Sequence, residues 1–218
     1  MYYFCHLLWV GICPSVIFGH SSIASFNTIM DFKESLKRFW MLVSDTSDTW
    51  SRLASQTGNT KAEDFRFLYS LLVINAVSAL AGYALNGHTA ISCILNAIFS
   101  PAAFYATVWI LFLVVKKLNN DGNDEAGSEV TSSGIFRFII YSSALNIVLN
   151  SFMLIFPGLF FLWILSLYTI YIVWEGLGSV MLIDDDMRTK PTAITTSIII
   201  IAPALIMFLM HFIIPGAK

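Results

Sequence analysis

Phe67 to Val115 reads FLYSLLVINAVSALAGYALNGHTAISCILNAIFSPAAFYATVWILFLVV, 49 residues without Asp, Glu, Lys or Arg, bounded by Arg66 and Lys116. As one helix the stretch would be about 73 Å long, more than twice the roughly 30 Å of bilayer hydrocarbon, so the chain must reverse within it. The polar cluster Asn86-Gly87-His88-Thr89 is the place to turn, which predicts a first pass over Phe67–Leu85 and a second ending at Val115. Pro101 lies in the second pass. It either kinks that helix or marks the true start of the span after a short interfacial piece from Ile91 to Phe99.

The same logic extends along the chain. Phe138 to Trp174 is a second uncharged block, 37 residues long and divided by Pro157-Gly158, a pair that breaks a helix and permits a tight reversal. It predicts a transmembrane hairpin. Pro191 to Ala217 supplies a fifth pass, bent at Pro203. Overall, 57% of residues are hydrophobic and 12% charged, with a mean hydropathy of +0.74, whereas a soluble domain carries about 25% charge. The reading is all-α: a polytopic transmembrane bundle of five helices with an amphipathic cytoplasmic helix before it. A net charge of −2 without a basic stripe argues against nucleic acid as a partner.

Eleven of the twelve basic residues fall on one side of such a bundle. Lys33, Lys37, Arg38, Arg52, Lys61 and Arg66 precede the first pass; Lys116, Lys117 and Arg137 lie between the second and third; Arg188 and Lys190 lie between the fourth and fifth. Only Lys218 lies on the other side. The positive-inside rule then places the segment before residue 67 in the cytosol and the C-terminus outside.

Three regions follow: 1–30, 31–66 and a transmembrane domain over 67–217. Met1 to Met30 holds no charged residue. It reads as an apolar extension preceding a true start at Met30, as an additional helix, or as a signal segment lacking its basic n-region. Beyond it, Phe32, Leu36, Phe39, Trp40 and Val43 recur at helical spacing with Lys33, Lys37 and Arg38 on other faces, the pattern of an interfacial amphipathic helix. Ser44-Asp45-Thr46-Ser47 supplies a break and a cap before a short helix carrying Trp50 and Leu53. Leu118 to Ser133 reads as a polar loop.

Polar residues within the apolar blocks are the candidate site. Asn75, Ser78, Ala79 and Gly82 share one face of the first pass, and Ser143, Asn146 and Asn150 one face of the third, as in helix interfaces joined by hydrogen bonds. The alternative is a polar route for a solute. Glu175 follows an apolar run, with Tyr168 and Tyr171 near its own face, and an acid at membrane depth asks for a partner. In a hairpin reversing at Pro157-Gly158, residues whose numbers sum to about 315 lie level, so Glu175 is set beside Ile140, within reach of Arg137 and Tyr141. Cys5, Cys13 and Cys93 form no metal-like spacing and read as apolar fillers, and Asp184-Asp185-Asp186 as a solvated loop. No nucleophile and base, phosphate loop or zinc motif occurs, so no catalytic, metal or cofactor residues are expected, and no enzyme.

Tyr141-Ser142-Ser143, Phe156-Pro157-Gly158-Leu159, and Tyr168-x-x-Tyr171-x-x-Trp174-x-Gly176-Leu177 with Met181 resemble the Yip (Ypt-interacting protein) family of five-pass membrane proteins. The resemblance covers about residues 31–214 and is weaker over Phe32 to Trp50, where many bacterial relatives carry a Pro before the Trp and this chain has Ser47-Asp48-Thr49. It implies a cytosolic N-terminal region, five helices, an external C-terminus and, by similarity to the bacterial members, the cytoplasmic (inner) membrane. Eukaryotic relatives act in vesicle trafficking and bind small GTPases; the long acidic arm typical of them is not evident here, which makes GTPase binding doubtful. The resemblance implies a membrane-organising or partner-binding protein whose partners are the lipid bilayer and other membrane proteins or a second copy of the chain. The runner-up is a small transporter or channel.

Overall fold

The computed structural model describes the backbone of residues 23–56, 61–122 and 132–213. The extension before Met30, including Cys5 and Cys13, lies almost wholly outside the described residues, as does the middle of the predicted polar loop.

Among the described residues the chain forms seven α-helices: α1 (Ile23–Ser44), α2 (Thr46–Ser55), α3 (Lys61–Leu85), α4 (Ala90–Gly122), α5 (Ser132–Ile155), α6 (Tyr168–Ser179) and α7 (Thr189–Ile213). A 3₁₀ segment, Pro157–Leu167, leads into α6. Five spans are long and apolar enough to cross a membrane: α3, the first 29 residues of α4, α5, the 3₁₀ segment joined to α6, and α7. The protein is therefore an all-α, multi-pass membrane protein. Two-thirds of the most apolar stretch of α5 is buried against 22–39% for the other spans, so α5 is the central helix and the rest surround it. The outward residues are large and apolar, including Phe160, Ile164, Leu205 and Phe208, as a lipid-facing surface requires.

The first reversal falls where the polar cluster predicts it. Gly87 adopts φ 77°, its N–H bonds Ala84 O at 3.2 Å, and His88 N–H reaches back to Tyr83 O at 3.1 Å, the bond pattern that closes a helix through a left-handed glycine. Pro101 does not start the second span, because α4 runs unbroken from Ala90 through it and takes in Ile91 to Phe99. The polar loop is shorter than expected, since α4 continues to Gly122 and α5 begins at Ser132. Pro157 opens the 3₁₀ segment, and the helix before it ends at Ile155, two residues from the predicted break. Asp45 caps α2, its side chain accepting from Asp48 N–H at 3.3 Å, and Trp50 and Leu53 are buried.

The predicted amphipathic stripe divides in two. Leu42 is buried, and Phe39 and Val43 pack on the core, but Phe32, Leu36 and Trp40 point outward. A helix lying against a bundle needs one inward face, and 40° of drift per four residues carries Leu36 and Trp40 away from it.

Candidate functional site

Asn75 sits at the meeting of three helices. Its Nδ2 donates to Ser151 Oγ on α5 at 3.1 Å, and its Oδ1 accepts from Ser100 Oγ on α4 at 2.6 Å. Asn150 Nδ2 donates to the same Ser100 Oγ at 3.4 Å, and Ser151 Oγ donates to Ile147 O at 2.8 Å. Nearby, Gly82 lies so close to α5 that a Cβ would overlap the Leu154 carbonyl. The sequence placed Asn75 and Asn150 correctly on inward faces; Ser100 and Ser151, single hydroxyls inside apolar runs, carried no signal of their own.

Asn146 has a different task. Pro203 lies inside α7 and has no N–H to offer Ile199 O, four residues back. Asn146 Nδ2 donates to that carbonyl at 2.7 Å. An amide from α5 thus replaces the missing backbone donor in α7, the condition under which a proline is tolerated in apolar surroundings.

At the basic end the expected pairing of Arg137 with Glu175 is not formed. Arg137 Nε contacts Asp64 Oδ2 at 3.2 Å, with both side chains more than nine-tenths buried, and Nη1 donates to Leu53 O at 2.5 Å and Gln56 O at 3.4 Å. The guanidinium therefore neutralises an acid of α3 and caps the last carbonyls of α2. Hairpin register is not the cause, because a Cβ at Gly176 would meet the Phe138 ring at 2.9 Å, a pair whose numbers sum close to 315. Rotation about the α5 axis is. Arg137 faces α2 and α3, whereas Glu175, half-buried on α6, has no ion-pair partner among the described residues. Tyr141 makes no hydrogen bond to Glu175 either; its ring stacks on Phe67 at 4.7 Å between centroids.

Trp50 joins these elements. Its indole Nε1 donates to Ile172 O on α6 at 2.9 Å, and its rings lie 5.9 Å from Phe138 and 6.2 Å from Tyr141. Gly176 makes room, since a Cβ there would stand 2.8 Å from the indole. Tyr168 adds a second tie: its hydroxyl donates to Val43 O at 3.2 Å and lies 3.1 Å from Thr46 Oγ1, while its ring packs 5.5 Å from Tyr171, which is exposed. Trp50 and Asp64 were missing from the candidate residues, because each lies in a stretch of ordinary polar composition.

Elsewhere, Cys93 is buried, with Sγ 3.8 Å from His88 O. Asp185 pairs with Arg188 at 2.6 Å, and the Arg188 guanidinium lies over the Trp174 ring at 5.9 Å. A cavity of about 490 Å³ opens at the opposite end between Tyr83, His88, Met153 and His211. Comparison of the chain with protein-family models, curated proteins and solved structures finds no match.

Proposed function

We propose that this multi-pass protein is a non-enzymatic, Yip-type member of a bacterial inner membrane, with the basic end in the cytosol, that organises membrane or holds a protein partner. The observation that carries this is the closed hydrogen-bond set of Asn75, Ser100, Asn150 and Ser151, which ties three spans together at the faces a polar route would need. Trp50 and Arg137 extend the same economy to the basic end, holding α2 on the bundle through polar contacts to α6 and α5, while Arg137 also ties α5 to Asp64 of α3. Such a body is a rigid platform. The test is affinity purification in mild detergent followed by reconstitution with the purified candidate. A defined polypeptide at fixed stoichiometry supports the proposal; a co-purifying solute with no polypeptide counts against it.

A second reading, the transporter, has its own observation. Ser142 on α5, Thr169 on α6, and Thr192, Thr195 and Thr196 on α7 are buried and make no side-chain hydrogen bond, and half-buried Glu175 has no ion pair among the described residues. Proton or solute flux in proteoliposomes that Glu175→Gln abolishes would favour it. Flux no greater than in protein-free vesicles would set it aside.

A further inference from the structure

Four sides of α1 can be told apart. Ser35, Phe39 and Leu42 face the bundle; Phe32, Leu36 and Trp40 form an outward stripe, exposed by 44, 52 and 70%. Spaced by four residues, these three span an arc of about 80°, and Lys33 and Lys37 follow at its edge before the helix turns to Glu34 and Met41. Exposed lysines bordering an apolar arc are the arrangement of a helix lying in a membrane interface, with ammonium groups reaching outward past their apolar stems.

The depth of α1 agrees. Ser35 Oγ donates to Ser70 Oγ at 3.2 Å, and Ser70 lies four residues, about 6 Å, further along α3 than Arg66, the last charged residue before the apolar block. On α3 itself Phe65, Tyr69, Val73 and Val77 form an exposed row at four-residue spacing, which starts at Phe65, 4.6 Å from the Phe136 ring of α5, and winds by about 40° per step until Val77 shares the face of Ser70 further down the span. The outward stripe of α1 is thus an extension of the lipid-facing surface of α3. α2 gives the contrast: it is tied to the same end of the bundle, yet its exposed residues are Ser47, Asp48, Ser51, Arg52, Ala54 and Ser55, a face made for water.

We infer that α1 lies in the interfacial layer of the membrane the bundle crosses, with Phe32, Leu36 and Trp40 among acyl chains and Lys33 and Lys37 on the phosphates of anionic phospholipid headgroups. The occupant of this face is the bilayer and not a second protein. Charge complementarity favours anionic lipid: Lys33 and Lys37 on α1 and Arg38 and Arg66 at the corner where it meets α3 stand against Glu34 and Glu63, which pair with Arg38.

The experiment places a photo-reactive benzoylphenylalanine singly at Leu36, Trp40, Phe208 and Ser51 in the full chain, reconstituted in vesicles of phosphatidylcholine with 30 mole per cent phosphatidylglycerol, about the anionic fraction that attracts basic interfacial segments. Phospholipid adducts at positions 36 and 40, within about threefold of those at lipid-facing position 208 and absent at 51, are expected by the burial argument. Adducts to polypeptide, or none at 36 and 40 while 208 reacts, overturn the placement. In a parallel arm, Lys33→Gln/Lys37→Gln is expected to lower the phosphatidylglycerol retained per protein by about twofold or more, each lysine near the surface counting for roughly a factor of five. Unchanged retention, in a variant whose thermal transition matches the parent, overturns the headgroup assignment.

Discussion

Gly176 shows how one missing methyl group shapes the basic end. An alanine Cβ there would stand 2.8 Å from the Trp50 indole and 2.9 Å from the Phe138 ring, and both rings are fixed, one by its bond to Ile172 O. Gly176→Ala is expected to destabilise the protein by about 1–3 kcal/mol, read as a lowered thermal transition in detergent. Gly158→Ala, whose Cβ meets nothing within 4 Å, should stay within about 0.5 kcal/mol and serves as the control. Asp64 and Arg137 form a buried pair at 3.2 Å. Arg137→Met leaves a carboxylate without its cation and should cost about 3–5 kcal/mol, whereas Asp64→Leu/Arg137→Met should recover part of that. What remains lost is the capping of Leu53 and Gln56 carbonyls. The Glu34 carboxyl on exposed α1 is held below its ordinary 4.5, first by the hydrogen bond from Arg38 and then by the charge of Arg38. A depressed carboxyl stabilises the docked helix above its unfolded value and ceases to do so as pH falls through the folded one. Hydrogen-exchange protection of α1 should therefore decline as pH drops below 4.5, and Glu34→Gln should flatten that dependence.

At the scale of the element, α7 is bent-prone by Pro203 and depends on a neighbour. Its freed Ile199 carbonyl is met at 2.7 Å by Asn146 of α5. Asn146→Leu is expected to lose about 1 kcal/mol in the parent, in line with interhelical hydrogen bonds inside membranes. In Pro203→Ala the backbone N–H at 203 can serve Ile199 O again, so the same Asn146→Leu change should cost less. A double-mutant cycle reading zero coupling would falsify the compensation. Pro101 in α4 differs, for Ser100 beside it is engaged with Asn75 of α3, and that contact holds the helix in register with its neighbours.

For the whole molecule, an odd number of spans puts the two ends of the bundle's chain path on opposite sides of the membrane. Reporter fusions joined after Asn120 should be active on the cytosolic side and fusions after Ala217 on the external side, because eleven of twelve basic residues sit at one end. Cytosolic activity after Ala217 with external activity after Asn120 would reverse the assignment, and cytosolic activity at both sites would contradict the five spans.

Hydropathy and charge alone carry the five spans, the turn at Asn86–Thr89 and the break at Pro157, since the cost of burying charge in lipid acts on each stretch of chain locally. The inward positions of Asn75 and Asn146 were legible for the same reason, as amides inside apolar runs must turn toward other helices. Partners were another matter. That Arg137 meets Asp64 and not Glu175 depends on the rotation of α5 about its axis, and that rotation is set by α2, a short polar helix wedged beside it through Trp50 and Gly176. That the stripe of α1 divides depends on how α3 presents Ser70 and Glu63 to it. Periodicity gives the face of a helix but leaves its neighbours free, and only side-chain packing among seven helices chooses them.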